Sequence, residues 1–156
     1  MKNSYNIIIA GAGPAGLFCA YNTSHAGRSV LLLEKNAGAG KKLLLSGSGQ
    51  CNFTHAGSVA GFTEHYGAAG NFVKPALSAF SSSDLIDFME SNGISTITRD
   101  DGKVFPASMD ANDILSLLLR LCRENGVVIK YNSPVTEVSL KNGEFTVTAA
   151  GELYHS

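Results

Sequence analysis

Six residues near the start of the chain, Gly11-Ala12-Gly13-Pro14-Ala15-Gly16, set glycines in the pattern G-x-G-x-x-G, and an acidic residue, Glu34, closes the next apolar run. That spacing suits anion recognition by the backbone. Gly11 lets the chain turn tightly out of a strand, Gly13 leaves a pyrophosphate free access to the main chain, and Gly16 lets the following helix lie close on a sheet. The unpaired N–H groups of the helix's first turn, at the positive end of its dipole, then face phosphate charge. A carboxylate about 20 residues on accepts ribose hydroxyls and repels the additional phosphate of NADP. Because it ends a buried strand, the Glu34 carboxylate is expected to be partly exposed. Alone the hexapeptide is a weak signal, since a tight structural turn produces the same letters. Its flanking elements strengthen it.

A second segment, from Gly38 to Thr54, mixes lysines and glycines: G-A-G-K-K-L-L-L-S-G-S-G-Q-C-N-F-T. Lysines offset phosphate charge, and Gly47 and Gly49 would let the backbone lie against a flat ring. Composition alone permits a mobile surface loop equally well. Cys51 has no cysteine partner nearby in sequence, so a packed loop thiol is preferred to a redox one. Cys19 and Cys122 fall in predicted helices and are read as core residues. Three widely spaced cysteines argue against a disulfide framework or a zinc site. The four histidines show no ligand spacing, so no metal is expected.

The elements that must position these groups follow from periodicity. Residues 5–10 read as a buried parallel strand, 14–26 as a helix with proline at its start and Gly27 after its end, and 29–33 as a second buried strand. Residues 36–71 read as long and irregular. A helix is expected near Pro75, with Phe72, Val73, Ala76, Leu77 and Phe80 on one stripe, and another over 83–92. Asp101-Gly102 reads as the turn of a hairpin between 94–98 and 103–105. Residues 111–125 form the clearest helix, capped by Asp110, ended by Gly126 and apolar on all but a narrow strip. Residues 127–131 read as a third parallel strand. The period then changes to two: 135–140, an Asn142-Gly143 turn, 144–149, and a further strand from Glu152. The expected parts are therefore a β-α-β fingerprint (1–35), a Gly/Lys-rich loop (36–71), helices with the third parallel strand (72–131) and a β-meander (132–156). The fold class is α/β and Rossmann-like.

The 156 residues carry 17 glycines and a net charge of −1. That balance offers no basic field for nucleic acid or an anionic membrane surface. No run approaches the ~20 apolar residues of a membrane span, and the first apolar run is too short for a signal peptide, so a cytoplasmic location is expected.

The loop and the fingerprint together resemble the aminoacetone-oxidase-like family of bacterial NAD(P)/FAD-dependent oxidoreductases, whose loop reads G-[RK]-K-[IL]-L-[IL]-S-G-G-G-R-C-N-x-T-N. Asp101 to Ser108 (D-G-K-V-F-P-A-S) and Ala111-Asn112-Asp113 resemble its later D-G-R-V-F-P-x-S and A-x-D stretches. Three positions depart from the pattern: Ser48 replaces glycine, Gln50 arginine and His55 asparagine. The resemblance implies a glutathione-reductase-type FAD-binding domain with FAD as cofactor and NAD(P)H as electron donor. It implies that Gly11, Gly13, Pro14, Ala15 and Gly16 bind the pyrophosphate, and that Glu34 and Lys35 bind the adenosine ribose. It places Lys42, Ser46, Gly47, Gly49, Gln50, Cys51 and Asn52 along the cofactor toward the isoalloxazine, and Val135 at adenine through its backbone. No catalytic acid or base is specified.

Family members are longer, so the chain is expected to be truncated at its C-terminus. The expected partners are a small-molecule substrate and either the absent C-terminal portion or a second chain at an exposed sheet edge. Two other readings stand beside the flavoenzyme one. They are an NAD-binding dehydrogenase domain, disfavoured by the loop and the meander, and a catalytically silent fragment that retains the fold.

Overall fold

A computed structural model describes residues 3–156. In chain order its elements are β1 (Ile7–Ala10), α1 (Pro14–His25), β2 (Val30–Leu33), a 3-10 turn (Ser46–Gly49), β3 (Thr54–His55), α2 (Val59–His65), a second 3-10 turn (Gly67–Ala69), α3 (Gly70–Ala79) and α4 (Ser82–Ser91). There follow β4 (Thr96–Thr98), β5 (Lys103–Pro106), α5 (Ala111–Glu124), β6 (Val128–Lys130), β7 (Val135–Lys141), β8 (Glu144–Ala149) and β9 (Glu152–His155). They divide into two compact units. One runs from the N-terminus to Leu43 and resumes at Leu115–Ser156; the other is Leu44–Ile114.

The first unit is the expected Rossmann-like arrangement. β1, β2 and β6 pair in parallel in the order β1-β2-β6, with Ile8 opposite Leu31 and Leu32 opposite Ile129. All four β2 residues are buried because this central strand is covered on both faces, as its unbroken apolar run requires. Leu31 and Leu33 turn to one side, where Val147, Ala149 and Tyr154 of the meander close over them. Alternation sends Val30 and Leu32 to the other side. The thiol of Cys122 on α5 donates to the carbonyl of Leu17 on α1 at 3.3 Å.

The meander β7-β8-β9 is antiparallel, and Asn142 and Gly143 both adopt left-handed φ (52° and 83°), as a type I′ hairpin turn requires. Lys130 Nζ donates to the Glu152 carboxylate and to the Tyr154 hydroxyl, each at 2.8 Å, and the hydroxyl in turn donates to Glu152. This triad pins β6 to β9 over the buried Tyr154 ring.

The second unit holds the antiparallel sheet β3-β5-β4, whose β4–β5 hairpin turns at Asp101-Gly102 as expected. Gly102 has φ +80°, and a Cβ there would lie 2.2 Å from the ring of His55, so both backbone sign and space demand glycine. Ser81 and Asp84 close a reciprocal capping box on α4.

Three expectations need correction here. Residues 36–71 are not structureless, for α2 and β3 lie within them. Helix α3 begins at Gly70 and carries Pro75 inside, and its stripe does not face a core: Val73 and Leu77 are half-buried, whereas Phe72 is 87% exposed. Cys19 lies on α1 but on its exposed side. Among the described residues, no helix is long and apolar enough to cross a membrane, and no His/Cys/Asp/Glu cluster is arranged to hold a metal ion.

Candidate nucleotide-binding site

The loop between β1 and α1 has the geometry that the fingerprint predicts. Gly13 occupies the N-cap position of α1, no side chain caps the helix, and Pro14 fills its first turn. The first-turn N–H groups have no intrahelical acceptor, so the positive end of α1 stays available to an anion. Gly13 has an ordinary extended backbone (φ −78°, ψ 178°), and a Cβ built on it meets nothing within 4 Å. Its lack of a side chain therefore serves open space in front of the backbone, and no unusual backbone path is required there. Gly16 is constrained in the opposite way, since a Cβ would lie 1.9 Å from the carbonyl oxygen of Gly11. This is the close helix-to-strand approach that the third glycine permits. Pro14 and Ala15 are exposed on the same turn.

Glu34 immediately follows β2, and here the structure departs from expectation. The residue is 6% exposed rather than open. Its Oε2 accepts the N–H of Ala12 at 2.7 Å, which ties the acidic residue directly to the glycine loop. Its Oε1 accepts both the backbone N–H of Asn36 at 2.8 Å and that residue's Nδ2 at 2.6 Å. Burial pushes the carboxyl pKa up, but the hydrogen bonds from Asn36 and Ala12, with Lys35 nearby, outweigh it and hold the group below the usual carboxylate range. Glu34 is thus a fixed anion at neutral pH.

The backbone around it is also tied. The Glu34 N–H donates to Lys130 O and its carbonyl accepts from Ser133, each at 2.8 Å, while the Asn36 carbonyl accepts from Asn132 at 3.0 Å. The strand leading to Val135 therefore leaves alongside residues 34–36. Val135 opens β7 with its side chain against the core. Lys35 and Lys42 are exposed, and Gly40 N–H donates to Ala12 O at 2.8 Å. Gly11, Gly13, Pro14, Ala15, Gly16, Glu34, Lys35, Lys42 and Val135 all belong to the first unit.

Ser46, Gly47, Gly49, Gln50, Cys51 and Asn52 belong to the second unit, on a tight loop pinned to β5. Gly47, Ser48, Gly49 and Cys51 all take left-handed φ, from 56° to 88°. Asn52 Nδ2 donates to Thr54 O at 3.1 Å and Val104 O at 3.2 Å. Cys51 is fully buried, and burial raises its thiol pKa, which agrees with a packed thiol.

Two further residues, one in each unit, were not singled out by the sequence. Arg99 donates to Gln50 Oε1 at 3.0 Å and stacks its guanidinium 4.1 Å from the centre of the Phe105 ring. A positive charge thus stands beside position 50 although Gln50 itself has none. Asn36 is the other. The signal available was an Asx residue two positions after an acid at a strand end, a place where such side chains bond locally.

These residues fit the ADP half of a dinucleotide. They offer an uncapped helix terminus, a side-chain-free approach over Gly13 and an immobilised carboxylate beyond it.

The family model described as the HI0933-like protein Rossmann domain matches residues 5–155. The chain is 33% identical over 147 residues to the ribosomal RNA dihydrouridine synthase of Escherichia coli (strain K12), covering 94% of this chain and 36% of that protein. It is 29% identical over 148 residues to the 3-dehydro-bile acid delta(4,6)-reductase of Clostridium scindens, covering 94% and 36%. The chain therefore spans about a third of the length of the curated relatives it matches. Among solved structures, the open conformation of a flavocytochrome c3 fumarate reductase superposes with a TM-score of 0.72 at 20% identity, covering 98% of this chain and 32% of that one. At that identity the likeness speaks for the fold. These matches are coarser than the aminoacetone-oxidase-like kinship that the loop motif suggests, a name that none of the four carries.

Proposed function

The chain belongs to the HI0933-like Rossmann-domain family, and on that premise we propose that it is the FAD-binding part of an NAD(P)H- and FAD-dependent oxidoreductase. The observation that carries the proposal is the pairing of an uncapped α1 terminus over Gly13 with the immobilised Glu34 carboxylate. Gly13, Ala15 and Gly16 hold the pyrophosphate, Glu34 the adenosine ribose, and the backbone at Val135 the adenine. The family match and the flavoenzyme neighbour support FAD over a nicotinamide dinucleotide alone. When bound, FAD supplies the electron-transfer chemistry, and the chain's residues bind and orient it. The flavin-ring role of residues 46–52 rests on the motif resemblance.

The names of both curated relatives describe saturation of a ring double bond: uridine to dihydrouridine in one, a Δ4,6 bile acid in the other. The proposed reaction is accordingly reduction of a carbon–carbon double bond conjugated to a carbonyl. We assign these residues no RNA contact, since their net charge of −1 offers a phosphate backbone no basic field. A second reading, oxidation of a small amine such as aminoacetone, is favoured by the loop motif from Gly40 to Thr54.

The test is to purify the protein, extract and identify any bound flavin, and titrate FAD against NAD. Preference for NAD with no flavin affinity overturns the proposal. Reductase assays on a conjugated enone and oxidase assays on aminoacetone, run with NAD(P)H or oxygen respectively, separate the two substrate readings.

A further inference from the structure

The acceptors of Glu34 do not match the donors of a ribose. An ionised carboxylate offers about four lone-pair sites. Three are occupied within the chain: one on Oε2 by Ala12 N–H, and two on Oε1 by the backbone and side-chain donors of Asn36. A ribose diol brings two O–H donors, so this nearly buried carboxylate has one site left for two hydroxyls. Asn36 supplies what is missing. Its Nδ2 is engaged by Glu34 at 2.6 Å, while its Oδ1 meets no donor among the described residues. The two atoms are arms of one planar amide, so anchoring Nδ2 also fixes where Oδ1 lies. Its backbone is tied as well, the N–H to Glu34 and the carbonyl to Asn132. Asn36 is half-buried, which leaves its free oxygen reachable by a ligand.

We propose that Asn36 is the second half of the ribose acceptor: Glu34 Oε2 takes one hydroxyl and Asn36 Oδ1 the other, while Asn36 Nδ2 holds the carboxylate in place. This rests on the dinucleotide reading above, and it assigns to the residue both a ligand contact and a positioning role. Selectivity for an intact ribose diol then comes from two side chains rather than one.

The experiment is a cycle of ligands against variants, with affinities measured by calorimetry. ADP, 2′-deoxy-ADP and 3′-deoxy-ADP are titrated into the wild-type protein, Asn36→Ala and Asn36→Asp, each checked by thermal melting. In the wild type, loss of either hydroxyl should weaken binding, each by roughly tenfold. In Asn36→Ala one of the two deoxy penalties should vanish and the other persist. Asn36→Asp keeps an acceptor oxygen but loses the donor and sets a second charge beside Glu34. It should therefore keep both penalties at lower overall affinity, a readout that stands even where the alanine variant folds poorly. Both penalties unchanged in Asn36→Ala would overturn the inference and leave Asn36 as scaffold; so would loss of one in Asn36→Asp. Failure of the wild type to bind ADP at all would overturn the dinucleotide reading beneath it.

Discussion

The Glu34 carboxylate accepts the Ala12 N–H at 2.7 Å, so the anion at the end of β2 and the glycine loop after β1 form one hydrogen-bonded unit. The group proposed to hold the ribose also holds its own scaffold. Glu34→Ala should then cost fold as well as ligand: about 1–3 kcal/mol of stability from the N–H groups it leaves without an acceptor, and most of the ADP affinity. Urea denaturation with and without ADP reads both. The folded pKa of Glu34 is depressed, so its contribution is present above the ordinary carboxylate range and is lost as pH falls through the folded pKa. Glu34→Gln should remove that acid-sensitive component, and an unchanged acid limb would refute the coupling.

Gly13 and Gly16 should separate binding from folding. Gly13→Ala has room and ordinary dihedrals, so its stability should stay within about 0.5 kcal/mol of wild type, while ADP binding falls. Gly16→Ala drives a methyl into the Gly11 carbonyl, 1.9 Å away, and should cost about 1–3 kcal/mol or more. Normal ADP affinity in a folded Gly13→Ala protein counts against the fingerprint assignment.

Ser48 stands where the resembling loop has glycine, and it adopts φ 56°. A left-handed conformation costs a residue with a Cβ roughly 1–2 kcal/mol. Ser48→Gly should recover about 1 kcal/mol of that, less the chain entropy glycine adds to the unfolded state. The melting temperature should rise; a fall would mean that the loop strain is compensated by the serine itself.

The three thiols should react in a set order. Cys19 is exposed, Cys51 is buried with a raised pKa, and burial pushes Cys122 up to about 11. Maleimide labelling of the folded protein near neutral pH should modify Cys19 alone, with the other two reacting only on unfolding. Mass mapping after a short pulse decides this, and early modification of Cys51 would reopen the redox reading.

The Lys130–Glu152–Tyr154 triad predicts alkaline sensitivity. Contacts with Glu152 and Tyr154 raise the Lys130 pKa, while burial foremost raises that of Tyr154. Both contributions are present below the ordinary ranges of these groups and are lost as pH rises through the folded values. Lys130→Met should flatten the loss of stability above about pH 10 in denaturation curves taken across that range.

Local order was legible in the sequence where a single period or a neighbouring residue decides it. The β-α-β start, the helix between Asp110 and Gly126, and both hairpin turns follow from patterns spanning a few residues. The glycine–acid spacing follows from the length of that same unit. Tertiary structure decided the rest. β3 is two residues long and exists because its partner β5 lies some fifty residues away. Phe72 belongs to an apolar stripe, yet no packing in the described residues covers it. Cys19 and Cys122 both lie on helices, and only what lies beside each helix makes one exposed and the other buried. At the site, the type and spacing of Glu34 suggested the ribose acceptor proposed above. Its burial and its bond to Ala12 arise because β2 is the central strand of three, which brings the chain at 12 against the carboxylate, whereas its bonds to Asn36, two residues on, are local. Spacing along a chain shows which groups can meet, and only the folded backbone decides which lone pairs remain free once they do.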